Sequence, residues 1–193
     1  MRNQIRKLVL VLGVTSALAS HHALAADPAA GFLVGLFMKV CVPNMGRPSG
    51  VEAWADGWHL HEITDAIPLQ VFVGDGENGK AWAVPAKYGS FALSIRGTTR
   101  ACAVWARAAD PGEVEADFHK LIDGSKRPGL NLTVVEDKIL PSPAGPLHEL
   151  VYQMSATDAA TGFVFTLLTA ENPGGAFQAS LQVAAARIPS PTN

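Results

Sequence analysis

Charge is scarce in this chain, and basic charge is scarcer still once the first seven residues are set aside. Its 193 residues hold 15 Lys and Arg against 17 Asp and Glu, only 17% of the total. Without a basic cluster there is no electrostatic footprint for nucleic acid, and no polybasic patch for anionic lipid. Cysteine is nearly absent, with Cys41 and Cys102 alone. Neither lies in a C-x-x-C pair or beside a histidine, which argues against a redox motif or a thiol nucleophile. The zinc-protease pattern H-E-x-x-H is missing, and so is the G-x-S-x-G nucleophile elbow. No apolar run reaches the ~20 residues that a membrane helix needs.

The N-terminus has a definite order. Arg2, Arg6 and Lys7 precede an apolar stretch from Leu8 to Ala19, and Ala23-Leu24-Ala25 follows as a small-x-small motif. This is the pattern of a secretory signal peptide, and cleavage after Ala25 is expected; an uncleaved anchor is the alternative. No cysteine stands directly after the apolar run, so the lipid attachment of a lipoprotein is not expected. His21 and His22 leave with the peptide. Removal of residues 1–25 takes three basic residues and no acidic one, leaving 12 against 17 and a net charge of −5. About 168 residues remain, enough for one α+β domain over 26–187 with a short tail at 188–193. The expected location is the periplasm or beyond the cell.

In that compartment two cysteines pair more often than they stay free. A Cys41–Cys102 bond would close a loop of about 60 residues, which removes on the order of 4 kcal/mol of chain entropy from the unfolded state.

Helix signals come first along the mature chain. Asp27-Pro28 reads as an N-cap with proline behind it, and Phe32, Leu33, Leu36, Phe37, Val40 and Cys41 form an apolar stripe. Ser49-x-x-Glu52 has the form of a capping box, ahead of Val51, Trp54, Ala55 and Trp58. From Leu69 the period changes, and Val71 to Val73 is a short apolar run. Ala81 to Val84, Ser90 to Arg96 and Ala101 to Arg107 read as strands, the last two as an antiparallel hairpin. Asp110-Pro111 starts a further helix with Val114, Phe118, Leu121 and Ile122 on one face and Gly124 at its end. Four strands then follow: 131–140, 147–154, 163–168 and 177–185. Their short connections predict an antiparallel meander. The expected fold class is α+β, with about three helices packed mainly on one face of an antiparallel sheet.

Several motifs resemble an uncharacterised proteobacterial family of exported proteins and lipoproteins. They are Cys41-Val42-Pro43-Asn44 with Gly46 and Pro48, Val71-Phe72-Val73-Gly74, Ala81-Trp82-Ala83-Val84-Pro85, Cys102-Ala103-Val104 and Phe177-Gln178-Ala179-Ser180. The resemblance covers most of the mature chain. It implies export, and it carries no reaction and no catalytic residue.

Candidate sites remain to be weighed. Gly74-x-Gly76-x-x-Gly79 spells a dinucleotide fingerprint, but the residues after it read as a strand where that chemistry requires a helix N-terminus. Asp75, Glu77 and Asn78 in the same loop offer oxygen ligands without the calcium-loop spacing. His59, His61 and Asp65 with His148 could be assembled into a zinc site or a hydrolase centre, although residues two apart share a face only on extended chain. Polar residues at a helix end account for them as well. Ser90 sits at a strand start, and His119 beside an apolar stripe. Arg96, Thr98, Thr99 and Arg100 at a hairpin tip could grip a carboxylate or phosphate; a solvated turn is the plainer reading. Trp54, Trp58, Trp82 and Trp105 could line a ligand pocket, or fill a core. The expected function is non-catalytic binding without a cofactor. The expected partner is another envelope or secreted protein, as for an inhibitor or an immunity-type protein. The alternatives are an envelope hydrolase using the His/Asp residues and a carrier of a small apolar ligand.

Overall fold

The computed structural model describes residues 26–188. The expected signal peptide and all but one residue of the expected tail lie outside them. The architecture is α+β. Eight antiparallel strands form one sheet in the order β1-β2-β3-β4-β8-β7-β6-β5. Their ranges are β1 His61–Glu62, β2 Gly79–Ala86, β3 Gly89–Arg96, β4 Cys102–Ala106, β5 Leu130–Leu140, β6 Leu147–Ala156, β7 Thr161–Ala170 and β8 Ala179–Arg187. The C-terminal meander is present. What joins it to the N-terminal strands is a long-range pairing of β4 with β8, Cys102 opposite Val183 and Ala106 opposite Ala179.

Four α-helices accompany the sheet: α1 Pro28–Leu36, α2 Pro48–Gly57, α3 Ala66–Val73 and α4 Pro111–Gly124. Asp27 caps α1, its carboxylate accepting from the Ala29 N–H at 2.9 Å and from the Asp110 N–H at 2.6 Å. Asp110 caps α4 in turn through the Glu113 N–H at 2.8 Å. The two helices therefore start from one shared polar knot, which ties together segments more than 80 residues apart. A π-helical turn, Phe37–Cys41, continues α1. It carries Cys41 to Cys102 at the start of β4, and the two are disulfide-bonded with Cα atoms 5.3 Å apart.

Two local expectations change. The capping box at Ser49 is not used. The helix begins at Pro48 after Arg47, which makes no side-chain cap, and Glu52 pairs with Lys80 at 3.5 Å instead. Proline at the first helical position supplies the preset φ that starts the helix. The apolar run Val71–Val73 is the end of helix α3. Pro68 explains the choice, because it would cost a strand a ladder hydrogen bond but is harmless in a first helical turn.

The main core lies between one face of the sheet and α1, α2 and α4. Phe37, Leu33, Val104, Phe118, Leu167 and Leu181 are fully buried there. Helix α3 covers the other face of the N-terminal strands. Phe72 meets Trp105 edge-on at 5.6 Å, and Ser94 Oγ donates to the Phe72 carbonyl while accepting from Trp105 Nε1. No helix among the described residues is long and apolar enough to cross a membrane.

Candidate functional site

A groove of about 440 Å³ opens between α1, α2 and the outer end of β2. It is lined by Gly31, Phe32, Gly35, Leu36, Lys39, Trp54, Trp58, Leu60, Val84 and Pro85. Each wall has a local cause. Phe32 is held by Phe91 at 4.6 Å and Tyr88 at 5.9 Å between ring centroids. Trp54 on α2 and Trp58 at its C-cap, four residues apart, stack at 5.6 Å. Leu60 is placed by the helix ending. The Leu60 N–H reaches the Ala55 carbonyl while His59 takes a left-handed φ of 51°, the arrangement that closes many helix C-termini. Pro85 lies beyond the reach of the two-residue strand β1, so its missing N–H deprives no neighbour on that side.

The floor is the exposed side of α1. Gly31 and Gly35 are four residues apart, on one helical face, and a Cβ at either would meet no atom within 4 Å. By contrast, a Cβ on Gly50 would lie 2.1 Å from Asn44 Oδ1. A side chain at 50 would therefore have to displace that of Asn44, whereas one at 31 or 35 would displace nothing. Lys39 stands at one end with its Nζ 5.0 Å from the centre of the Trp58 ring, and among the described residues it is the only charged one lining the groove.

The core reading of the tryptophans holds for Trp82 and Trp105, 3% and 4% exposed, and fails for Trp58, which is 60% exposed. The indole pattern on α2 was legible in the sequence, but the significance of the two glycines was not. The available signal was a G-x-x-x-G spacing on the face of α1 opposite its buried residues.

The proposed histidine set does not assemble. His61 lies on β1 and His148 on β6, six strand steps apart, or about 29 Å along the sheet at the usual strand spacing. His59 and His61 border a shallow depression continuous with the groove and shared with Ser90, and Asp65 is the residue before α3. His148 belongs to another cluster. Its Nε2 lies 2.9 Å from Asp137 on β5, and its Nδ1 lies 3.4 Å from Glu115 on α4. Glu115 continues to His119 at 3.7 Å, and His119 Nδ1 lies 3.1 Å from the Tyr152 hydroxyl. The Asp137 hydrogen bond raises the His148 pKa above its ordinary value. Partial burial opposes the rise and the Glu115 charge adds to it. Burial raises the Tyr152 pKa. The cluster thus links β5 and β6 to α4 through side chains. No group of three His, Cys, Asp or Glu among the described residues has a geometry suited to a metal ion.

The four hairpin-tip residues also part company. Thr98, Thr99 and Arg100 are exposed, whereas Arg96 turns back beside Gly74 and Glu77. Arg96 Nε and Glu77 Oε2 are buried there without hydrogen-bond partners. The glycine-rich loop at 74–79 follows the C-terminus of α3 and leads into β2. That is the reverse of a dinucleotide loop, so no helix N-terminus faces it.

Comparison with known proteins yields no match to a family model, to a curated protein or to a solved structure.

Proposed function

We propose that this chain is a non-catalytic binding protein of the cell envelope that holds an apolar group in the α1–α2–β2 groove. One observation carries the reading. Two stacked tryptophans, one of them mostly exposed, face a trough floored by helix glycines at which a side chain would displace nothing. Glycine inside a helix is about 1 kcal/mol worse than alanine. Keeping two of them on the groove side maintains open space at the expense of stability, as binding sites commonly do. The volume lies in the range of small-ligand pockets, and the lining is apolar with one polar group, as such pockets are.

The test is a titration with an uncharged naphthylamine fluorophore, read by its own emission and by tryptophan quenching. The fluorophore binds the native protein, and Gly35→Leu, which fills the trough, abolishes binding. Equal binding by that variant refutes the assignment of the groove. Export is tested separately by N-terminal sequencing of the protein from a periplasmic fraction, which should begin at Ala26.

A second reading, a protein partner as for an inhibitor or an immunity-type protein, is favoured by the edge strand β5. This strand is eleven residues long and leaves Val134, Val135 and Ile139 exposed, Ile139 at 64%. An open edge of that length is a template for strand addition. Ile139→Lys should then release a partner captured from envelope extract, and retention of the partner would exclude the edge.

A further inference from the structure

Resting on the groove reading, we propose that the natural occupant is a free carboxylic acid with a single apolar chain, its carboxylate at Lys39 and its chain laid along Gly35 and Gly31. Charge decides the head. Lys80, Lys120, Lys126 and Lys138 each pair with a carboxylate; Lys87 lies over Tyr88 without an acidic partner, but outside the groove lining. Lys39 has no acidic side chain within ion-pair distance among the described residues, and its ammonium lies against the Trp58 ring. It is an exposed cation without an acidic partner at the end of an otherwise apolar trough, and one cation matches one negative charge. A phosphomonoester would need a denser set of donors. A quaternary ammonium would need the Trp58 face that Lys39 already occupies and would be repelled by it.

Geometry decides the body. From Gly31 to Lys39 the helical rise amounts to about 12 Å, along a face on which Gly31, Gly35 and Lys39 are all exposed. Trp54 and Leu36 flank it, and Phe32 ends it. An extended alkyl chain fits that shape, and each methylene removed from water tightens binding about fourfold. The free acid is favoured over a membrane lipid because the groove offers a single cation and the mature chain is net negative.

The experiment uses protein produced from the full chain, recovered from the periplasm and stripped with organic solvent. Laurate, its methyl ester and anionic vesicles are titrated against it by calorimetry, alongside the uncharged fluorophore. Laurate should bind about fivefold more tightly than the ester, the size of one exposed ion pair. Lys39→Gln should erase that preference, so that acid and ester bind alike, and Gly35→Leu should abolish binding of all three small molecules. Equal affinity for acid and ester overturns the carboxylate assignment while the groove reading stands. Fluorophore binding without laurate binding overturns the chain-acid class, and failure of both removes the groove reading itself. Laurate binding that survives Gly35→Leu, or vesicle retention without laurate binding, also overturns the proposal.

Discussion

The glycines on α1 make the sharpest test, because stability and binding should move in opposite directions. Gly31→Ala with Gly35→Ala adds two methyl groups to a helix face where neither meets an atom within 4 Å. Neither glycine has a positive φ, so alanine adopts the same backbone without strain. Each exchange should stabilise by about 0.8–1 kcal/mol through helix propensity and the narrower unfolded ensemble, or about 2 kcal/mol together. For a chain of this size a urea slope of about 2 kcal/mol/M is expected, so the unfolding midpoint should rise by about 1 M. The thermal midpoint should rise by roughly 4–8 °C. Binding of the uncharged fluorophore should weaken in the same variant as the methyl groups enter the trough. Urea unfolding followed by far-ultraviolet circular dichroism measures the first effect, and the titration measures the second. If the midpoint falls or stays fixed, α1 needs those glycines for its own path into the π-helical turn, and the case for a maintained opening collapses.

Three further outcomes follow from the same geometry. Asp27→Ala removes the acceptor for the N–H groups of Ala29 and Asp110 and should cost about 2 kcal/mol in urea unfolding; a loss under 0.5 kcal/mol would mean that the two helix starts are not coupled through it. Cys41→Ala with Cys102→Ala opens a loop of 61 residues and should lower stability by about 4 kcal/mol, or roughly 10 °C in melting temperature; an unchanged melting curve refutes a structural role for the bond. The folded-state pKa of His148 is raised, chiefly by Asp137, so the stability it confers is fully present below the unfolded pKa and is lost as pH rises through the folded value. Native protein should therefore lose stability relative to His148→Gln from about pH 6 upward, and parallel pH profiles of the two would contradict the link.

Residues close in sequence determined much of this molecule. The Asp110-Pro111 start and the stripe Val114, Phe118, Ile122 specify α4 because capping and a period of 3.6 act within a few residues. The alternation of Leu181 and Val183 with Gln182 specifies β8 for the equivalent reason at period two. Two cysteines and an export-like N-terminus pointed to the Cys41–Cys102 bond. Tertiary structure alone decided the rest. Which side of the sheet the helix ending at 71–73 covers was set by the packing of Phe72 on Trp105. His148 matched the other histidines in chemistry, but the β4–β8 pairing set it at the far side of the sheet from them. The groove is defined by space left unfilled between residues 31–39, 54–60 and 84–85. Local propensity says which face of a helix is apolar, but only the positions of distant segments determine whether anything comes to cover it.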